Sequence, residues 1–342
     1  MNEIGIGNLP PTTADFLPQY KAIGQSLKKR FFRKPNVAEA IVQYEALGQE
    51  LQREEQKSFA AVCYLESAKC QESLRNNVQQ ANSLVKAAKL FLEAWESEQH
   101  FNFNGEPFSD QSDTTCLFGN LELGIQTLSQ AAKSFSNQGN KGSAILINMQ
   151  LGDILYRDGS YGEALNYYKI ALIDAKQSFS LFDQLLVTEL VCKAKVKMME
   201  LESVLKTVND SLIAIKNYDH ENEVPAQFVS EYAQKFQIMK VMLVLILGGN
   251  TTDVLDFIWP KLPVTSADAG DDDFSSASPE LYCESTNKDH LERREVTYLL
   301  KSLVLAVQEN SSVELRQIHN KLIPVMDESH HDLMKFLLQM QR

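Results

Sequence analysis

The stretch from Asn148 to Ala171, NMQLGDILYRDGSYGEALNYYKIA, decides the fold. Leu151 and Leu155 stand four residues apart, and Ala164, Tyr168 and Ala171 follow at spacings of four and three, so each half carries one apolar face at the helical period. Between the halves, Arg157-Asp158-Gly159-Ser160 is polar and contains a glycine, the composition of a tight turn. Two helices so joined lie antiparallel and share a seam, and the residue types suit one. Gly152 lets the helices of the pair approach, Ala164 and Ala171 are small where helices cross, and Tyr168 fills the gap to the next helix.

This spacing is that of the tetratricopeptide pattern, and it echoes upstream as Ala87, Phe91, Ala94 and as Ala131, Phe135. Nearer the start, Phe16, Tyr20, Ile23 and Leu27 form one helical stripe and Val37, Ala40, Ile41, Tyr44, Leu47 and Leu51 the next, with Pro35-Asn36 as break and cap. Further helices are expected over 58–75, 78–98, 114–136, 142–157, 161–177, 181–206, 208–216 and 226–247. Gln99 to Asp113, with Gly105 and Pro107, reads as a loop. The last helices show a clean stripe at Val296, Leu299, Leu300, Leu303, Val304 and Val307, then Leu315, Ile318 and Leu322 before Pro324, and finally Leu333, Met334, Leu337 and Leu338 behind a Ser329–Asp332 capping box. The sequence predicts an all-α chain of about 14 helices, a tetratricopeptide- or SNAP-like superhelical array of antiparallel pairs. A disordered tail is expected at 1–12, the array at 13–260, a disordered Ser/Asp-rich acidic linker at 261–289, and helices completing the array at 290–342.

The formal charge of −12 disfavours nucleic acid, because a phosphate backbone needs a positive field. Cys63, Cys70, Cys116, Cys192 and Cys283 are odd in number and never spaced CxxC, which points to a reducing, cytoplasmic setting rather than a disulfide framework or structural zinc. The first residues lack the basic and apolar regions of a secretory signal, and the longest apolar run, Ile238 to Leu247, falls short of a membrane span.

No nucleophile–base pair, metal cluster or phosphate-binding loop has the context that chemistry requires, so neither an enzyme nor a cofactor is expected. His330-His331 point about 100° apart on a helix, unlike an i,i+4 metal pair, and read as solvated residues at a helix start. Two charged groups are candidates for partner contact. One is the basic cluster Lys28, Lys29, Arg30, Arg33 and Lys34, which also admits a nuclear-import reading; the other is the acidic set Glu314, Asp327, Glu328 and Asp332.

At Leu27 to Ala40, LKKRFFRKPNVAEA, the chain closely resembles the forty-kilodalton huntingtin-associated (factor VIII intron 22) family. The likeness continues through Tyr44, Leu47-Gly48, Leu51, Ala60-Ala61, Cys63, Cys70 and Leu74, and more loosely to Leu303-Val304 and Pro324. The resemblance implies a helical stack clasped between the HEAT-repeat domains of huntingtin, a one-to-one complex, and a link to early endosomes through a Rab-type GTPase. Vertebrate members of that family have a longer Pro/Ala-rich linker before the C-terminal helices, where this chain has a shorter one rich in Ser and Asp. A SNAP-like adaptor acting on membrane-fusion machinery is the competing reading of the helix-pair pattern.

Overall fold

The computed structural model describes residues 11–28, 36–104, 114–218, 225–249 and 287–340. Seven of its connections between helices are three residues long: 54–56, 74–76, 138–140, 158–160, 178–180, 198–200 and 309–311. The middle residue of each is left-handed: Glu55 (φ 60°), Arg75 (59°), Gly139 (78°), Gly159 (85°), Phe179 (57°), Met199 (61°) and Asn310 (53°). In six of them the third residue's N–H then donates to a carbonyl five residues back, as Gln56 does to Leu51 (2.9 Å), Ser160 to Leu155 (2.9 Å) and Glu200 to Lys195 (3.0 Å). That bond satisfies a carbonyl the helix end would otherwise leave open, and the left-handed residue reverses the chain.

Among the described residues these turns and longer links separate thirteen α-helices. They are α1 (Pro11–Ser26), α2 (Val37–Arg53), α3 (Lys57–Ser73), α4 (Asn77–Asn104), α5 (Thr114–Asn137), α6 (Lys141–Arg157) and α7 (Tyr161–Gln177), followed by α8 (Leu181–Lys197), α9 (Leu201–Lys216), α10 (Ala226–Ile246), α11 (Asn287–Gln308), α12 (Ser312–Leu322) and α13 (Glu328–Met340). Among the described residues there is no strand, and the all-α, paired-helix fold class is as expected. Two expectations are corrected. The helix expected over 181–206 ends at Lys197, because Met199 turns the chain. The loop expected from Gln99 begins later, because α4 continues to Asn104. Residues 1–10 of the expected tail, and 261–286 of the expected linker, lie outside the described residues.

The chain divides into two units, Met1–Asp153 and Ile154–Arg342, with the boundary inside α6. In the first, α2 buries Ala40, Tyr44, Leu47 and Leu51 against Ala60, Ala61, Cys63 and Tyr64 of α3, at the i, i+4, i+7, i+11 spacing that puts them on one face. Gly48 permits the crossing, since a Cβ there would lie 3.2 Å from Tyr64 and 3.3 Å from Cys63. Glu45 ties the same pair together, accepting from Ser67 Oγ (3.0 Å) and Gln71 Nε2 (3.1 Å).

The second unit is built around α10. Ile238, Met239, Val241, Met242 and Leu243 are consecutive or nearly so and at most 1% exposed, so this stretch of the helix is enclosed on nearly every side. Its apolar run is a core helix, and no helix among the described residues is long and apolar enough to cross a membrane. Leu185, Cys192 and Val196 of α8, Leu300, Leu303 and Val304 of α11, and Leu333, Met334 and Leu337 of α13 join the same core.

Candidate functional site

The residues assigned to repeat packing are buried. Leu151, Ala164 and Ala171 are fully enclosed, and Gly152, Leu155 and Tyr168 nearly so. They build the scaffold and offer nothing to a ligand. Of the basic cluster, Lys28 stands exposed just beyond α1, while Lys29, Arg30, Arg33 and Lys34 lie outside the described residues.

The acidic set is placed differently from what its charge suggests, because three of its four members are engaged within the second unit. The start of α13 is a cap: His330 N–H donates to Asp327 Oδ1 (2.9 Å), and His330 Nδ1 lies 2.8 Å from the same oxygen. The box is therefore Asp327–His330 and not Ser329–Asp332. His330 is 0% exposed, which overturns its reading as a solvated histidine. Its Nε2 lies 2.9 Å from the Lys235 carbonyl of α10, an oxygen that can only accept, so Nε2 carries a proton and donates. Burial pushes the Asp327 carboxyl up, but the hydrogen bonds and charge of His330 and the charge of Lys235 more than reverse this and hold it at about 2.

Beside the cap, Glu328 meets Lys193 (2.7 Å) and Lys197 (3.1 Å) of α8, and one turn on Asp332 meets Lys197 (2.6 Å) and Lys335 (3.2 Å). The Glu328 carboxyl is raised by burial and drawn down further by its two lysines; Lys197 is held up, chiefly by its bond to Asp332. Tyr156 donates its hydroxyl to Glu328 (3.2 Å), and the Lys193 ammonium lies 4.7 Å from its ring centre. The fourth acid, Glu314, is exposed in the first turn of α12, where its N–H is capped by Ser311 (3.5 Å).

Two features went unseen in the sequence. His319 of α12 and His331 of α13 bring Nε2 and Nδ1 to 3.4 Å with rings edge to face. Twelve residues separate them, so no local spacing signals the pair. Phe179 is 90% exposed in its left-handed turn, beside Phe182, which is stacked on Phe228 at 4.5 Å. Only knowledge of the turn register would have placed Phe179 in solvent.

The remaining chemistry is quiet. Burial pushes the Cys63 and Cys192 thiols up to about 12, far from the thiolate that reacts. Among the described residues no three His, Cys, Asp or Glu side chains converge as a metal cage.

Comparison with known proteins gives one informative likeness. No family model matches the chain. A solved structure, BtubC (BKLC) from P. vanneervenii, superposes over 78% of this chain and all of that one, with 12% identity and a TM-score of 0.35, a likeness too slight to carry argument. The 40-kDa huntingtin-associated proteins of Rattus norvegicus and Mus musculus are each 45% identical over 92 residues, which is 27% of this chain and 24% of each relative. The match thus spans about a quarter of the curated relatives' length, and is shorter than the looser likeness read from the sequence into the C-terminal segments. Over those 92 residues the chain is similar to the two huntingtin-associated proteins, in line with the resemblance read from its sequence.

Proposed function

We propose that this chain is a non-catalytic, cytoplasmic protein-binding scaffold that forms a stable one-to-one complex with huntingtin. The observation that carries the reading is the 45% identity over 92 residues to proteins named for that association. Stacked helix pairs support it, because their faces and turns form broad surfaces whose commonest use is protein recognition. In this reading the stack is clasped between the HEAT-repeat domains of huntingtin and stabilises their arrangement, burying more than about 2,000 Å² in the manner of obligate complexes. Docking is steered by the net charge of −12 acting at long range, and not by Asp327, Glu328 and Asp332, which the chain's own His330 and lysines already occupy. Association with early endosomes through a Rab-type GTPase follows as a secondary role of the same complex.

The test is co-expression with huntingtin from the same source, followed by size-exclusion chromatography and thermal melts. A one-to-one complex melting well above either free protein is expected. Separate elution, with an unchanged melt of this chain, would sink the proposal and bring forward the SNAP-like adaptor reading.

A further inference from the structure

We propose that His319 and His331 together form a binding site for a divalent first-row transition ion such as zinc, holding it between α12 and α13. The separation of their facing nitrogens is the first argument. His319 Nε2 and His331 Nδ1 are 3.4 Å apart. Nitrogens bound to one tetrahedral ion, each about 2.0–2.1 Å from it, stand about 3.3–3.4 Å from each other. A ring-to-ring hydrogen bond would draw them closer, since N–H donors in proteins settle near about 2.9–3.0 Å from their acceptors. The spacing therefore matches that of two nitrogens on one ion.

Rigidity is the second argument. Each ring stands on a helix, and the short connection between the helices runs from the 3-10 turn Ile323–Val325, with Pro324 inside it, through Met326 and Asp327. The start of α13 is fixed by the Asp327–His330 cap and by His330 Nε2 on the Lys235 carbonyl, so the residue before His331 has no freedom to carry it away. Leu315, Ile318 and Leu322 on α12, and Leu333, Met334 and Leu337 on α13, anchor both helices in one core. Sites on helices whose supports are locked hold ligand geometry better than sites on loops.

The donor set defines the ligand. Imidazole suits zinc, copper and nickel and is a poor match for magnesium or calcium, which take oxygen. Both rings are half-buried, so an ion can enter from solvent. Among the described residues no third ligand approaches, and two positions on a tetrahedral ion stay open to water. The site is thus an exchangeable one, distinct from a closed structural zinc.

The experiment uses the full chain without a histidine tag, titrated with zinc chloride by calorimetry alongside His319→Ala and His331→Ala. One equivalent of zinc is expected per wild-type chain, weakened about tenfold or more by either substitution. The ring nitrogens of the wild-type chain, followed by nitrogen-15 NMR on zinc addition, give a reading that needs no variant to fold: His319 Nε2 and His331 Nδ1 should shift together. Failure of the wild type to bind, binding undiminished in the double variant, or shifts confined to other histidines would each overturn the proposal.

Discussion

Helices α2 and α3 of the first unit meet as sequence neighbours, whereas α8 and α13 of the second meet although four helices of the described residues lie between them in the chain. The first contact is closed by a three-residue turn and needs little beyond shape: Gly48 against Tyr64, with Glu45 bridging to Ser67 and Gln71. The second brings distant segments together and carries a polar lock, with His330 on the Lys235 carbonyl of α10 and the Lys193–Glu328 and Lys197–Asp332 pairs on α8. Partly exposed ion pairs contribute only about 0–1 kcal/mol each, so those pairs mainly select how α13 sits. The apolar core beneath supplies the stabilisation. Helix pairs adjacent in sequence find each other through a short loop, while a returning helix needs a signal that only one docking position satisfies.

That contrast can be broken at several points. The largest effect should come from the cores, where both units are alike. Phe91→Ala in the first and Phe236→Ala in the second, each 1% exposed, should each lower the unfolding free energy by about 3–5 kcal/mol in urea titrations. Markedly unequal losses would show that one core collapses around its cavity.

His330→Ala separates the units. It removes the imidazole from the Lys235 carbonyl and from the buried Asp327 carboxylate and opens a cavity, so a loss of about 2–4 kcal/mol is expected. A loss below about 1 kcal/mol would mean that α13 is held by its apolar face alone.

Acid tests the same lock. The Asp327 carboxyl sits lower in the folded chain, at about 2, than its ordinary value of 3.8, so its contribution is complete above the ordinary value and fades as pH falls toward 2. The wild type should lose up to about 2 kcal/mol between pH 5 and pH 2 from this group, and Asp327→Asn should lose correspondingly less. Parallel pH curves for the two proteins would place the acid sensitivity elsewhere.

The smallest effect concerns the turns. Met199→Gly should stabilise by roughly 1 kcal/mol, because a left-handed backbone costs methionine what it does not cost glycine. Gly159→Ala should do the reverse. Both are read as shifts in melting temperature.

Those turns also mark where the sequence was legible. Gly159, between two clean apolar faces, announces its turn; Met199 adopts nearly the same backbone with no local signature, and the apolar period runs on through Leu201, Val204 and Val208. Ser329–Asp332 and Asp327–His330 are both cap-like i,i+3 pairs, offset by two residues, and only the position of the Lys235 carbonyl, distant in sequence, favours the second. The same carbonyl explains why His330 was misread: the partner that makes a buried histidine satisfied is invisible to local pattern. The packing residues Leu151, Ala164 and Tyr168 were legible because burial follows helical period, and the His319–His331 pair was not because it depends on how two helices dock.

The return of α13 also has a consequence in time. Synthesis proceeds at about 5–20 residues per second, so α8 and α10 leave the ribosome roughly ten seconds before the helix that covers them. Until then the faces of α8 and α10 that α13 packs against stay open, and a message truncated before Ser329 would leave them so permanently. The nascent second unit is thus a client for holding chaperones until its final helix arrives, whereas the first can close hairpin by hairpin as it emerges.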